Sequence, residues 1–237
     1  KEIMPFVKQW MQDQESRFQR KVLKIFEGAG VDKRYSIMDA EEVFLNTSFE
    51  EKNNIYIKEV TKLAEQSLLK SLKKAKLQPT DIDYIITVSC TGIMIPSMDA
   101  YLINSLQMRQ DIIRLPVTEM GCVAGISGII YAKNFLKSNP NKRAAIISVE
   151  ASTATFQMED YSMANIVSAA IFGDGAASAI LSSYKEDKGP RIKDESMYHF
   201  YNSIDIMGFK LVNTGLQMIL DKKVPETISN HFSEIIH

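Results

Sequence analysis

A chain of 237 residues, 45% of them hydrophobic, is long enough to enclose a core in one large domain or two small ones. Its 28 Lys and Arg against 29 Asp and Glu leave no basic surplus, which argues against broad nucleic-acid binding. No apolar run approaches the roughly 18 residues of a membrane span, and the polar residues 1–20 predict no signal peptide. Two cysteines cannot form a disulfide framework, so we expect a cytoplasmic protein with reduced thiols.

The first predicted elements are helices. Apolar residues spaced along one helical face predict a helix over residues 1–27, which Gly28 and Gly30 end. A second helix covers residues 56–75, where apolar residues recur every 3.6 positions and lysines and glutamates fall between them. This pattern is typical of a surface helix with one face on a core.

Short apolar runs then alternate with helical patterns. We expect strands at 84–88, 112–117, 144–149 and 176–181, with helices at 98–108 and 122–136. Strands that are apolar on both faces and alternate with helices indicate a sheet covered on both sides. The predicted fold class is therefore α/β, in α/β/α layers. A strand at 218–220 and a helix at 225–236, with Pro225 in its first turn, follow.

One cysteine, Cys122, lies where the second strand gives way to a helix. Helix N-termini carry partial positive charge and free N–H groups, both of which stabilise a thiolate, the nucleophilic form of cysteine. The N–H of Cys122 would also help to bind the oxyanion of an acyl transfer. Free cysteines are, however, usually buried and inert, so the pattern alone leaves both interpretations open.

Small residues mark the helix that follows. Gly121, Gly125, Gly128 and Ala132 are spaced by four, three and four positions, which predicts a stripe that another backbone approaches closely. Each glycine weakens a helix by up to ~1 kcal/mol relative to alanine, so packing must compensate. We expect a twin helix against this stripe.

The segment 118–125, Thr-Glu-Met-Gly-Cys-Val-Ala-Gly, resembles the nucleophile motif of type III polyketide synthases, the chalcone-synthase-like family. Further matches occur in the family's order and cover nearly the whole chain. They are Lys33-Arg34-Tyr35, Cys90-Thr91-Gly92, Pro96-Ser97, Ser148-Val149-Glu150, Phe172-Gly173-Asp174-Gly175-Ala176-Ala177, Met207-Gly208 and Val224-Pro225.

The resemblance implies a thiolase-like fold of two similar halves and a homodimer. This chain would supply the N-terminal half, residues 1–183, and the start of the C-terminal half, residues 184–237. It implies that Cys122 takes an acyl group from an acyl-CoA starter and that decarboxylated malonyl-CoA attacks this thioester. No separate cofactor or metal is implied, and the three histidines, His199, His231 and His237, have no zinc-site spacing.

The resemblance also implies a catalytic His and Asn, which are expected beyond the end of this chain. None of the three histidines lies in a matching motif, and a catalytic cysteine needs a base or an ion-pair partner. We therefore expect the chain to be a fragment of a longer enzyme. The alternative is a truncated, non-catalytic chain that only packs against a partner.

Other site residues are implied by the same motif matches. Lys33 and Arg34 match basic residues that meet the CoA phosphates, although they could be two solvated loop charges. Several positions match residues that line the substrate cavity, and each could also be an ordinary core or turn residue. These positions are Phe172, Met218, Cys90, Thr155 and Gly208, with Ile95 as a wall contributed across the dimer.

Two other enzyme classes remain open at this point. A ketoacyl-acyl-carrier-protein synthase III-like enzyme of fatty-acid initiation shares the fold and the cysteine. A cysteine hydrolase would release free acid without consuming malonyl-CoA. The starter, the number of extensions and the ring closure depend on cavity shape, which the sequence does not determine.

Overall fold

The structure is a computed structural model that describes residues 3–45 and 47–236, with side chains as far as residue 234. Two compact units divide the chain, and each combines segments that are distant in sequence. Unit 1 comprises Lys1–Tyr56, Ala151–Asp174 and Tyr198–His237. Unit 2 comprises Ile57–Glu150 and Gly175–Met197.

The regular elements are eight helices and six strands within the described residues. The helices are α1 Met4–Trp10, α2 Ser16–Gly28, α3 Ala40–Val43, α4 Phe49–Ala75, α5 Met98–Ser105, α6 Ala124–Ser138, α7 Met163–Ile171 and α8 Val224–Ile236. The strands are β1 Tyr84–Val88, β2 Ile113–Val117, β3 Arg143–Glu150, β4 Gly175–Ser182, β5 Met207–Val212 and β6 Gly215–Leu220. Short 3-10 turns at Pro79–Asp81, Gly121–Val123 and Ser152–Thr155 connect some of them.

Unit 2 is built on a four-stranded sheet in the order β2-β1-β3-β4. Strands β2, β1 and β3 are parallel, and β4 pairs antiparallel with β3. All five residues of β1 are buried, because this strand lies inside the sheet and is covered on both faces. The exposed residues of β2 and β4 mark them as edge strands.

Helices cover both faces of this sheet. On one face, α6 packs its buried residues Ala124, Ala132 and Leu136 against alternate residues of β1 and β3. On the other face, the hydroxyl of Ser71 in α4 donates to the carbonyl of Ser178 in β4 at 3.0 Å. Asp99 of α5 lies on that second face too, since it accepts a hydrogen bond from Thr87 of β1 at 3.4 Å. The predicted α/β/α layering is therefore confirmed.

The predicted small-residue stripe divides between two surroundings. A Cβ built on Gly128 would lie 3.3 Å from Cγ2 of Ile146, and Ala132 is fully buried, so both face the helix's own sheet. Gly121 and Gly125 have nothing within 4 Å of a built Cβ. The expectation of one stripe facing a twin helix is thus wrong for Gly128 and Ala132. The sheet itself takes the place that the twin was expected to occupy.

Unit 1 encloses an aromatic core. Trp10 stacks on Tyr161 at 5.1 Å between ring centroids and meets Phe156 edge-on at 5.1 Å. Phe44 packs on Phe156 at the same distance. The indole N–H of Trp10 donates to the carbonyl of Met158 at 2.8 Å, so the polar atom of this buried ring is satisfied.

The chain start holds two helices where one was predicted. Helix α1 ends at Trp10, and α2 begins at Ser16. The side-chain amide of Gln19 donates to the carbonyls of Met11 at 3.1 Å and Gln14 at 2.8 Å. These bonds connect the side chain of Gln19 in α2 to the segment that separates the two helices, and so stabilise the break.

Candidate active site

Cys122 lies in the connection between β2 and α6. Strand β2 ends at Val117, a 3-10 turn spans Gly121–Val123, and α6 begins at Ala124. Gly121 adopts a φ of +61°, which side-chain-bearing residues rarely accept, and this lets the chain turn sharply before the cysteine. The Cys122 side chain is consequently exposed at the start of the helix.

Three polar or nucleophilic side chains lie at the carboxyl edge of the unit 2 sheet. In the parallel register, Val88 of β1 lies beside Val117 of β2 and Ser148 of β3. Cys90 follows β1, Cys122 follows β2, and Glu150 ends β3. Because the carboxyl ends of parallel strands meet at one edge, the sheet gathers two thiols and a carboxylate there.

Glu150 holds the loop that carries Cys90. Its carboxylate accepts the backbone N–H of Cys90 at 3.1 and 3.2 Å and the hydroxyl of Thr91 at 2.8 Å. Burial raises the pKa of Glu150, although these hydrogen bonds oppose the shift. Burial first, and then the adjacent Glu150, raise the pKa of Cys90 to about 12. Cys90 therefore remains a thiol at neutral pH, whereas the nucleophilic form of cysteine is the thiolate.

A pocket of about 760 Å³ lies within unit 1. Its walls come from residues 31–40, from the turn at Ser152–Thr155 and from α7 with the residue after it. Four of the residues implied by the motif matches line it, namely Lys33, Arg34, Thr155 and Phe172. Thr155 is buried, and its hydroxyl donates to the carbonyl of Ser152 at 2.8 Å.

The two neighbouring cations of this pocket differ in their surroundings. The Lys33 side chain is exposed, with its Nζ 5.1 Å from the ring centre of Tyr35. The Arg34 guanidinium is half-buried and donates to the carbonyls of Ala169 and Phe172, the latter at 3.3 Å. Burial lowers the pKa of Arg34, and the charge of Asp174 opposes this shift. Lys33 is thus the more available of the two for an anionic ligand.

Met218 and Gly208 belong to the β5–β6 hairpin of unit 1. Gly208 pairs with Ile219, and Phe209 pairs with Met218. Because consecutive residues of a strand point to opposite faces, Gly208 and Met218 lie on opposite faces of this hairpin. Neither lines the pocket that holds Phe172 and Thr155.

Two carboxylates of these sites carried no assigned role in the sequence. Glu150 ends an otherwise apolar strand, and such a charge at the carboxyl edge of a parallel sheet is a usable signal. Asp174 lies between Gly173 and Gly175, where turn geometry explains the glycines and leaves the acid unexplained. In the structure Asp174 is buried and accepts the backbone N–H of Thr153 at 2.9 Å.

Neither a spanning helix nor a metal cluster is found in the described part of the chain. No helix within residues 3–45 and 47–236 combines the length and apolarity needed to cross a membrane. The same residues contain no group of three or more His, Cys, Asp or Glu side chains placed to bind a metal ion. His237 lies outside them.

Comparison with known proteins gives a consistent set of relatives. A family model described as FAE1/type III polyketide synthase-like protein matches residues 2–204. The phloroglucinol synthase of Pseudomonas fluorescens is 30% identical over 200 residues, which are 84% of this chain and 57% of that protein. The 1,3,6,8-tetrahydroxynaphthalene synthase of Streptomyces coelicolor is 31% identical over 206 residues, 87% of this chain and 55% of that protein. The chain thus spans little more than half the length of these relatives.

Solved structures resemble the whole chain. The crystal structure of the Streptomyces coelicolor 1,3,6,8-tetrahydroxynaphthalene synthase superposes with a TM-score of 0.91 at 28% identity, covering 99% of this chain and 67% of that one. The type III polyketide synthase domain of Steely1 from Dictyostelium gives 0.84 at 27% identity, covering 97% and 66%. These similarities confirm the predicted thiolase-like α/β fold.

Proposed function

The chain belongs to the FAE1/type III polyketide synthase-like family, and from this premise we propose that the intact protein is an acyltransferase that makes polyketides from CoA thioesters. The thiolate of Cys122 attacks the carbonyl carbon of an acyl-CoA starter, and CoA leaves as its thiolate. Malonyl-CoA then loses CO₂, and the resulting enolate attacks the Cys122 thioester. A C–C bond forms, the C–S bond breaks, and the Cys122 thiolate is regenerated.

The observation that carries this proposal is the exposed position of Cys122 at the start of α6. The chemistry of the other thiol supports the assignment, because burial and Glu150 raise the pKa of Cys90 to about 12. We assign Cys90 instead to the wall of the acyl cavity. No separate cofactor takes part, because the CoA thioesters supply the activated carbonyl and the latent carbanion.

The CoA part of the substrate is assigned to the pocket of unit 1. Lys33 supplies an exposed cation at this pocket, as a polyanionic nucleotide requires. Arg34 is assigned to the same subsite as a cation already bonded to backbone carbonyls. We also propose that residues 1–183 and 184–237 belong to two different domains of the intact protein. We propose in addition that the protein is cytoplasmic.

We propose Met218 as a wall residue of the acyl cavity; Gly208 lies on the opposite face of the same hairpin, and neither lines the pocket that holds Phe172 and Thr155. Met218 is a flexible side chain, so Met218→Phe should make the wall stiffer and the cavity narrower. In the intact protein we expect this substitution to shift products toward fewer extensions. Product profiles by mass spectrometry test it, and an unchanged profile would remove Met218 from the wall.

A homodimer completes the proposal. Unit 2 exposes several large apolar side chains: 91% of Ile95, 50% of Ile113, 56% of Val123 and 60% of Ile126. Val123 and Ile126 lie one helical turn apart beside the nucleophile, and β2 is an edge strand. A second copy would cover such apolar surface. Light scattering of the intact protein tests this, with Ile126→Glu expected to yield monomers.

The decisive experiment supplies the intact protein with an acyl-CoA and carboxyl-labelled malonyl-CoA. We expect labelled CO₂, an acyl adduct on Cys122 and a chain-extended product, all of which Cys122→Ala abolishes. Replacing malonyl-CoA by malonyl-acyl-carrier protein distinguishes a carrier-protein-dependent synthase. Release of free acid without CO₂ would indicate a hydrolase and contradict the proposal.

A further inference from the structure

The pocket of unit 1 has two walls of different construction. One wall is the segment 31–38, which carries Lys33 and contains neither helix nor strand. The other is the short turn at Ser152–Thr155, which carries Thr155. Backbone N–H and C=O groups of an irregular segment need partners outside regular ladders. The position of Lys33 therefore depends on what holds its segment.

A single residue, Asp174, is hydrogen-bonded to both walls. On the Lys33 wall, its carboxylate accepts the N–H of Ile37 at 2.7 Å, and its own N–H donates to the carbonyl of Tyr35 at 2.8 Å. On the Thr155 wall, it accepts the N–H of Thr153 at 2.9 Å and the Thr153 hydroxyl. One carboxylate group thus fixes the separation of the two walls.

The residues around Asp174 are adapted to this arrangement. A Cβ on Gly173 would lie 3.1 Å from Cβ of Arg34 and 3.4 Å from the carbonyl oxygen of Tyr35, so only glycine allows this approach without a shift of its neighbours. Arg34 in turn donates to the carbonyls of Ala169 and Phe172. These hydrogen bonds of Arg34 hold Phe172, which also lines the pocket, against the Lys33 wall.

Asp174 is 7% exposed, and a buried carboxylate is unfavourable unless it is fully hydrogen-bonded. Its oxygens accept backbone N–H groups from both walls and the hydroxyl of Thr153, and the positive charge of Arg34 lies nearby. An apolar side chain would fill the same space without the desolvation penalty, yet it could not bond either wall. The hydrogen bonds of Asp174 therefore position the two walls of the pocket.

We propose that Asp174 is the positioning residue of the CoA pocket: by bonding the Lys33 wall and the Thr153–Thr155 wall at once, it keeps the pocket at the width that the CoA part of the substrate requires. This inference rests on the proposed function. Asp174 touches no reacting atom, so it governs how well CoA thioesters bind and leaves the reactivity of Cys122 unchanged.

The test compares two thioesters of the same acyl group in the intact protein. One is the acyl-CoA, and the other is the acyl-N-acetylcysteamine thioester, which lacks the nucleotide. In Asp174→Asn, the amide nitrogen must face either the Ile37 N–H or the Thr153 N–H, so one wall loses its backbone hydrogen bond to the side chain of residue 174. We expect the acyl-CoA concentration for half-maximal loading of Cys122 to rise about tenfold. Loading from the small thioester should stay within about twofold.

A milder pair of variants tests the Thr153 wall alone. Thr153→Val removes the hydroxyl donor and keeps the shape of the side chain, so we expect the same selective defect at about threefold. Thr153→Ser retains the donor and should restore loading to the wild-type level. Amide hydrogen exchange of Ile37 and Thr153, measured without substrate, reports whether Asp174→Asn loosens the walls.

The outcomes are distinguishable. An equal loss for both thioesters would mean that Asp174 only supports the fold, and it would overturn the inference. Faster exchange at Ile37 and Thr153 with unchanged acyl-CoA loading would overturn it too. Wild-type protein that loads neither thioester would instead overturn the proposed function, and the inference with it.

Discussion

The two thiols at the carboxyl edge of the unit 2 sheet differ in burial and in charge environment. Burial and Glu150 raise the pKa of Cys90 to about 12, so at pH 8 only about one Cys90 in 10⁴ is a thiolate. Cys122 is exposed at the start of α6. We expect iodoacetamide to alkylate Cys122 at least tenfold faster than Cys90 in the intact, folded protein, as quantified by peptide mass spectrometry.

The same labelling in urea is the control, because unfolding should equalise the two rates. Cys122→Ala should leave the folded protein almost unlabelled at pH 8. Preferential labelling of Cys90 would contradict both the raised pKa of that thiol and the assignment of Cys122 as the nucleophile.

The Glu150 carboxyl is expected to make the stability of the protein depend on pH. Its pKa is raised from the ordinary value of 4.5, mainly by burial. Above pH 4.5 the unfolded chain releases this proton before the folded chain does, so Glu150 lowers stability as pH rises toward its folded pKa. Glu150→Gln removes this contribution while keeping the shape. We expect the Tm of the variant relative to wild type to increase as pH rises from about 4.5 to 7.

Asp174 is also buried with a raised pKa, so the wild-type curve alone cannot isolate Glu150. The difference between Glu150→Gln and wild type does so, because both proteins contain Asp174. A Tm difference that stays constant over this pH range would show that Glu150 ionises as it does in the unfolded chain.

The spacing of apolar residues predicts the helices and strands of the unit 2 sheet well. The predicted ends of all four strands of the unit 2 sheet agree with the structure to within one residue, because each strand contains a short, mainly apolar run. The central strand β1 is the clearest case, since it is buried on both faces. Strand β5 was missed, since Lys210 and Gly208 interrupt its pattern and only pairing with β6 stabilises it. Helix α7 was missed because nine residues give too few turns for a clear period.

The faces of α6 were harder to predict than its existence. Ile126 is 60% exposed, whereas Ile130, one turn further along the same helix, is only 7% exposed. Gly128 was expected to meet a second helix and instead lies on Ile146 and Ile86 of its own sheet. Spacing alone shows that residues share a helix face, and only tertiary packing shows which neighbour covers it.

Two glycines of α6 give a matched pair of substitutions. A Cβ on Gly128 already lies 3.3 Å from Ile146 and 3.4 Å from Ile86, whereas one on Gly125 has nothing within 4 Å. Gly128→Leu should therefore overpack the helix–sheet contact and lower the free energy of unfolding by about 1–3 kcal/mol. Gly125→Ala should raise it by up to ~1 kcal/mol through helix propensity. Urea denaturation of the chain measures both.

A Gly125→Ala variant that loses stability would show that another backbone covers this position. The prediction for Gly128 would be contradicted by a leucine variant as stable as wild type, since the sheet would then have room for four more carbon atoms.

The order of the motifs along the chain predicts the family, which the family model confirms, and Cys122 as the nucleophile stays a prediction. The motif order did not give the roles of Glu150 and Asp174, because each acts by bonding segments about 60 or 137 residues away in sequence. The sequence also placed Met218 and Gly208 in one cavity wall, and only strand pairing reveals that they lie on opposite faces of a hairpin.

As an isolated chain, these 237 residues are expected to lack condensing activity. Condensation needs a partner for the Cys122 thiolate and donors that stabilise the enolate formed by decarboxylation. Unit 2, which holds Cys122, contains no histidine, and the described histidines, His199 and His231, both belong to unit 1. The relatives are about one and a half times as long as this chain, since the matched 200 and 206 residues are 57% and 55% of two of them. We therefore expect slow acyl loading at most, and no chain-extended product.

Exposed apolar side chains lead us to expect poor solubility of the same isolated chain. Val123, just before α6, and Ile126 in α6 are 56% and 60% exposed. Ile228 and Phe232, one turn apart on α8, are 49% and 57% exposed. Surfaces of this kind promote association. Size-exclusion chromatography followed by an assay with malonyl-CoA and several acyl-CoA starters tests both expectations, with the full-length protein as control. A soluble monomer that forms triketides would contradict the expectation that condensation needs the part of the relatives that this chain does not match. Loading of Cys122 without extension is the expected result, because the proposed nucleophile lies in unit 2 and that unit contains no histidine.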